Sequence, residues 1–293
     1  MTDPGWLDRR EFPFESRFHE TAVGRMHYVD EGRGDPIVFV HGVPTWSFLF
    51  RKLIAGLSDG HRCVAMDHLG FGLSDKPGSY SYEPQLLADN VEGLLGSLDL
   101  EPCTLVVHDW GGPLGLPYAI RHPDRVRRIV LFNTWLWSAA GLRTRVLASL
   151  LAGPLFAWAE QRHNASTRLF IPQVMGGRAR LTPAIHRQYL EPLAAEGDRK
   201  AVLALARAIR DAGPWLDVLW QQISVISGLP ALIAWGMRDP VFTAADLARW
   251  RGVFDRCEVH RYETVGHFPP EEAGEELCTT IEAFISGGGG TPR

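Results

Sequence analysis

Apolar residues along this chain gather in short runs bounded by glycine, proline, aspartate and asparagine, and the runs alternate with longer stretches of helical spacing. The runs predict strands at Met26–Asp30, Pro36–Val40, Arg62–Met66, Cys103–Val107, Val126–Phe132, Ala231–Trp235 and Glu258–Tyr262. Most are rich in valine, isoleucine and leucine with little polar alternation, so they predict a largely parallel sheet covered on both faces. Helical spacing predicts helices over Ser47–Leu57, Glu83–Leu98, Gly112–Arg121, Ala244–Phe254 and Glu271–Ile285. Strand and helix in alternation argue for an α/β fold.

The alternation lapses between Thr134 and Ser227, where leucine, alanine, tryptophan and arginine recur at helical spacing without a strand-like run. This region reads as a helical cap, residues 134–227, inserted into a core made of residues 1–133 and 228–286. Residues 287–293, GGGGTPR, read as a flexible tail. The cap holds more aromatic residues than a solvated helix pair needs, so part of it is expected to roof a pocket beyond the carboxyl ends of the strands. Its most apolar stretch, Val146–Ala159, is interrupted at Gly153–Pro154 and is too short to span a bilayer. A pair of buried or lid helices is expected there.

Bulk properties narrow the function. A length of 293 residues suits one α/β domain with an insertion. The net charge of -4 gives no electrostatic reason to expect nucleic acid or a membrane as partner, and a neutral or apolar substrate fits better. The four cysteines are widely spaced and have no histidine at ligand spacing, so neither a metal nor another cofactor is expected. The charged N-terminus lacks the apolar core of a secretory signal, so a cytoplasmic protein is expected, and either a monomer or a homo-oligomer. GFGLSD resembles half of a dinucleotide fingerprint but lacks its third glycine.

Candidate chemistry lies at the ends of strands. In VVHDWGGPLG a strand runs into Asp109, two glycines and a helix, the layout of a nucleophile elbow with an acid at its apex. Asp239 follows ALIAWGMR, and His267 follows the strand around Val259. A single acid or histidine at a strand end is usually a turn former or cap. Three in the order nucleophile, acid, histidine point to chemistry. IVFVHGVPTW adds a strand ending in His41-Gly42, after which the Val43 backbone N–H is placed to meet an oxyanion together with that of Trp110.

HGVPTWSFLFR, MDHLGFGLSDKP, VVHDWGGPLGL and VGHFPPEEA resemble the signature blocks of haloalkane dehalogenases, a branch of the α/β-hydrolases, and span nearly the whole core. The resemblance implies the α/β-hydrolase fold, an eight-stranded and mostly parallel sheet with a helical cap. It implies Asp109 as nucleophile, His267 as general base, Asp239 as its orienting acid, and Val43 and Trp110 as the backbone oxyanion hole. The partners implied are a small apolar halogenated substrate, water and a product halide received by the Trp110 indole. A carboxylate is already an anion at neutral pH and can displace a leaving group from saturated carbon, whereas serine must first lose a proton.

Val43 stands where the family often carries asparagine as a second halide donor, and valine has none. A cap indole, Trp137, Trp158, Trp215 or Trp220, is one replacement; a different leaving group is the other consequence. Trp46 and Phe48, with Trp137 and Trp158, are candidate pocket residues, although Trp46 and Phe48 more often pack the first helix. Asn133 occupies the alternative acid position of a related subfamily and is expected to hold a loop at the cap junction. Three readings compete: an epoxide hydrolase, which would need Tyr189 as its acid; a β-lactone-processing relative; and a catalytically silent binding protein.

Overall fold

The computed structural model describes residues 3–100, 102–138, 141–177 and 181–287. Eight strands form one sheet: β1 (Arg17–Thr21), β2 (Gly24–Glu31), β3 (Pro36–Val40), β4 (Arg62–Met66), β5 (Cys103–Asp109), β6 (Val126–Thr134), β7 (Ala231–Gly236) and β8 (Cys257–Tyr262). Their order is β1-β2-β4-β3-β5-β6-β7-β8; β2 runs antiparallel to β1 and β4, and the remaining pairs are parallel. This is the α/β-hydrolase fold. β1 is an addition to the strands read from sequence. Its residues RFHET are half-exposed on an edge, so no apolar run marks it.

Side chains of the central strands alternate between two cores. Val38, Val40, Leu105, Val107, Ile129, Leu131 and Ile233 join one, while Ile37, Phe39, Val106, Val130, Phe132 and Leu232 join the other. Coverage on both faces explains the unbroken apolar runs. The flanking helices are α1 (Arg51–Leu57), entered through a 3-10 turn at Ser47–Phe50, then α2 (Pro84–Ser97) and α3 (Gly111–Arg121).

Between β6 and β7 lie α4 (Leu142–Leu151), α5 (Pro154–His163), α6 (Ile171–Val174), α7 (Pro183–Leu190), α8 (Lys200–Asp211) and α9 (Gly213–Gln221). After β7 come α10 (Ala244–Arg251), α11 (Pro269–Glu272) and α12 (Gly274–Ser286). The helix expected over Glu271–Ile285 is thus divided at Ala273, whose φ of -133° leaves the helical region.

The stretch Val146–Ala159 does form two helices; of the two alternatives expected, buried or lid helices, the buried one is corrected, since Leu150 and Leu155 are 65% and 77% exposed. Among the described residues no helix is long and apolar enough to cross a membrane. Residues 288–293 of the expected tail lie outside the described residues.

Candidate active site

Asp109 closes β5 with φ at +50°, a left-handed conformation that lifts its side chain out of the sheet before α3 begins. The sharp turn requires close packing on β3. A Cβ on Gly111 would lie 2.0 Å from the Val40 carbonyl oxygen, so only glycine fits there. Gly42 has the same role toward the carboxylate, where a Cβ would sit 2.3 Å from Asp109 Oδ2. The Val43 N–H donates to that oxygen at 2.8 Å, and the Trp110 N–H also favours the anion. Burial outweighs both and the neighbouring His267, and it pushes the Asp109 carboxyl up to about 6.

His267 lies in the loop after β8. Its Nδ1 is 2.8 Å from Asp239 Oδ2, and its Nε2 is 3.8 Å from Asp109 Oδ1. Nε2 is buried without a hydrogen-bond partner and faces the Asp109 carboxylate without bonding to it. Burial lowers the His267 pKa, but Asp239 and Asp109 act the other way and the net shift is upward. The structure therefore brings Asp109, His267 and Asp239 together.

Sequence reasoning named Asn133 but not its part in bracing them, and missed the other bracing residues. Pairing of β5 with β6 passes from His108–Phe132 to Asp109–Thr134, which leaves Asn133 as an extra residue in a bulge, at φ +21°. The bulge aims Asn133 across to β7. Its Nδ2 donates to Asp239 Oδ2 at 2.8 Å and to the Gly236 carbonyl at 3.0 Å, and its Oδ1 accepts from the Gly236 N–H at 2.8 Å. Asn133 thus holds the acid itself, and the loop at the cap junction was too narrow an expectation.

The histidine loop is fixed in the same way. The His267 N–H donates to the Val174 carbonyl at 2.9 Å, His108 Nε2 meets the His267 carbonyl at 2.7 Å, and Glu272 accepts from Gly176 and Gly266. Behind the oxyanion loop, Asp67 of the MDHLGFGLSDKP block accepts from the Ser47 and Leu73 N–H groups at 2.8 Å each.

Aromatic rings wall the site. Trp110 meets Trp135 edge-on at 4.9 Å, Trp135 stacks on Phe242 at 5.2 Å, and Phe242 stacks on His267 at 5.6 Å, with Phe170 edge-on at 5.8 Å. Trp135, Phe170 and Phe242 carry no motif that marks them in the sequence. The expected pocket residues lie elsewhere. Trp46 gives its indole N–H to the Gln188 carbonyl and stacks on Phe48, which lies under the Arg51 guanidinium, so both are core residues. Trp137 packs with Trp220 and Trp250, while Arg249 covers Trp137 and Trp220. Trp215 is half-buried against the core, and Trp158 is 58% exposed with its ring against His163. Trp158 is thereby corrected from roof to surface.

Tyr189 donates its hydroxyl to Glu271 Oε2 at 2.6 Å within a buried network. Among the described residues no cluster of three or more histidine, cysteine or acidic side chains could hold a metal ion.

A family model described as alpha/beta hydrolase fold matches residues 35–273. A haloalkane dehalogenase 2 from Mycobacterium tuberculosis is 35% identical over 276 residues, covering 94% of this chain and 96% of the relative. A cis-3-alkyl-4-alkyloxetan-2-one decarboxylase from Shewanella oneidensis is 34% identical over 285 residues, covering 94% and 89%. Among solved structures, haloalkane dehalogenase DatA from Agrobacterium tumefaciens superposes with a TM-score of 0.83 at 27% identity, covering 94% of this chain and 97% of that one.

Proposed function

Because this chain belongs to the alpha/beta hydrolase fold family, beside relatives named haloalkane dehalogenases, we propose that it displaces halide from saturated carbon through an ester on Asp109. The observation that carries this reading is a buried carboxylate at the elbow whose oxygen lies 3.8 Å from an otherwise unpartnered His267 Nε2. Asp109 attacks the carbon bearing the halogen, the carbon–halogen bond breaks with its electron pair, and an aspartyl ester remains. His267 then takes a proton from water as it attacks the ester carbonyl, and the Val43 and Trp110 N–H groups hold the oxyanion. Collapse releases alcohol and restores the carboxylate. Asp239 stabilises the imidazolium formed in between.

Halide departs toward the Trp110 indole. Val43 offers no second donor, and the loss of one such donor costs a transition state about 2.7 to 4 kcal/mol. Bromide, the better leaving group, should suffer less from this than chloride. Residues 134–227 are proposed as the cap that excludes water from this step.

The test is halide release from 1-bromobutane and 1,2-dibromoethane. We expect bromide from the wild type, none from Asp109→Ala, and from His267→Phe a single burst of one bromide per enzyme with a stable alkyl adduct detectable by mass. Continued turnover by His267→Phe would overturn the assigned base.

A second reading, oxetan-2-one decarboxylation, is favoured by the missing donor at Val43 together with the relatives of that name. Asp109 would displace the ring oxygen from its saturated carbon, leaving a free carboxylate. Loss of CO2 would then form the alkene and expel Asp109. Alkene and CO2 from a cis-dialkyl oxetan-2-one, without bromide release, would move the assignment there.

A further inference from the structure

The cap carries a surface that this chemistry does not use. Among the described residues ten large hydrophobic side chains are exposed, and six of them fall within residues 146–169 of α4, α5 and the turn that follows. Val146, Leu147 and Leu150 share a face of α4; Leu155 and Trp158 share a face of α5 with Arg162. An isolated exposed leucine needs no explanation, but a cluster that includes an exposed tryptophan does.

Charge identifies what would cover it. Along the chain, residues 142–190 contain seven arginines, no lysine and one acid, Glu160; Arg187 is paired with Glu191 at 3.0 Å, and Arg178 and Arg180 lie outside the described residues. Glu160 is buried, and its carboxylate is taken up by the Ser166 N–H and hydroxyl at 2.7 and 2.8 Å. Arg145, Arg162 and Arg168 are exposed and make no ion pair among the described residues. These three unpaired arginines beside the apolar face, on a chain of net charge -4, make a local cationic cluster that the overall balance conceals, although Glu196 and Asp198 lie on the turn packed against α5. That balance argued against a membrane because it averages these arginines with acids elsewhere.

We infer that the α4–α5 face of the cap docks on an anionic phospholipid bilayer. Its leucines and Trp158 sit among the headgroups, and the arginines sit at lipid phosphates. A second copy of the chain fits less well, since a two-fold contact through this face would oppose identical arginines.

The experiment is cosedimentation of the full chain with vesicles of phosphatidylglycerol and phosphatidylcholine in equal parts, beside pure phosphatidylcholine. We expect at least about tenfold more bound protein on the anionic vesicles, weakened by salt as screening shortens to about 3 Å near 1 M. Leu150→Ser/Leu155→Ser and Arg162→Glu/Arg168→Glu should each reduce binding about tenfold, with circular dichroism unchanged because all four positions are exposed. Absence of wild-type binding, or equal binding by both double variants, overturns the inference. A dimer in sedimentation velocity that Leu150→Ser/Leu155→Ser dissolves, without vesicle binding, would also overturn it and assign the face to a second copy.

Discussion

At the scale of single residues, Asp109 shows how a carboxyl is held against the preference of its surroundings. Its carboxyl is raised by burial from 3.8 to about 6. The native state therefore keeps a proton that the unfolded chain has already released, and native stability falls as pH rises from about 4 through about 6, by roughly 3 kcal/mol. Asp109→Asn keeps the shape and the acceptor for Val43 but has no charge to bury. It should abolish turnover and stabilise the fold by roughly 1 to 3 kcal/mol at pH 7, read as a higher Tm. An unchanged or lower Tm would show that the carboxylate is well compensated. In the wild type the first chemical step should fail as pH drops below about 6, since protonated Asp109 has no anion to attack with. A single-turnover pH profile of halide release tests this.

At the scale of elements, the bulge at the end of β6 decides whether Asp239 faces His267. Asn133→Ala would leave the Gly236 N–H buried without its acceptor and remove one donor from Asp239, at a cost of about 1 to 3 kcal/mol. We expect kcat to fall with KM little changed, and the His267 titration observed by NMR to shift; unaltered kcat and titration would reduce Asn133 to packing. Asn133 is legible as a residue but its role is not, because a bulge depends on the register between two strands and leaves no composition signal. β1 escaped notice for a related reason. Its half-exposed edge position imposes no apolar requirement on RFHET.

At the scale of the whole molecule, one buried network ties a helix inserted between β6 and β7 to two helices that flank the sheet. Arg51 of α1 makes two bonds to Glu271 of α11, at 2.6 and 2.8 Å, and Tyr189 of α7 donates to the same carboxylate. Burial raises the Glu271 pKa, but bonds from Arg51 outweigh it and the net shift is downward from 4.5. The stability from this group is therefore present above about pH 4.5 and lost as pH falls through the depressed value. Glu271→Ala leaves Arg51 with the more distant Glu11, at 3.3 Å, as its ion-pair partner and should cost about 3 to 5 kcal/mol, with α7 loosening as tryptophan fluorescence changes. A loss below about 1 kcal/mol would show that water reaches Arg51.

The sequence by itself determined the layered α/β architecture, because strands buried on both faces must be apolar throughout. It also marked Asp109, Asp239 and His267 as candidates, because strand ends and tight glycine turns are local features. Tertiary structure alone decided that these three lie within reach of one another, that Asn133 steadies the acid, and that Trp135, Phe170 and Phe242 rather than Trp46, Phe48 or Trp158 stand at the site. It also decided that Leu150, Leu155 and Trp158 of α4 and α5 face outward. Each of these depends on which surfaces meet across distant segments, and an apolar residue has the same sequence signature whether its neighbour is the core, a substrate or another surface.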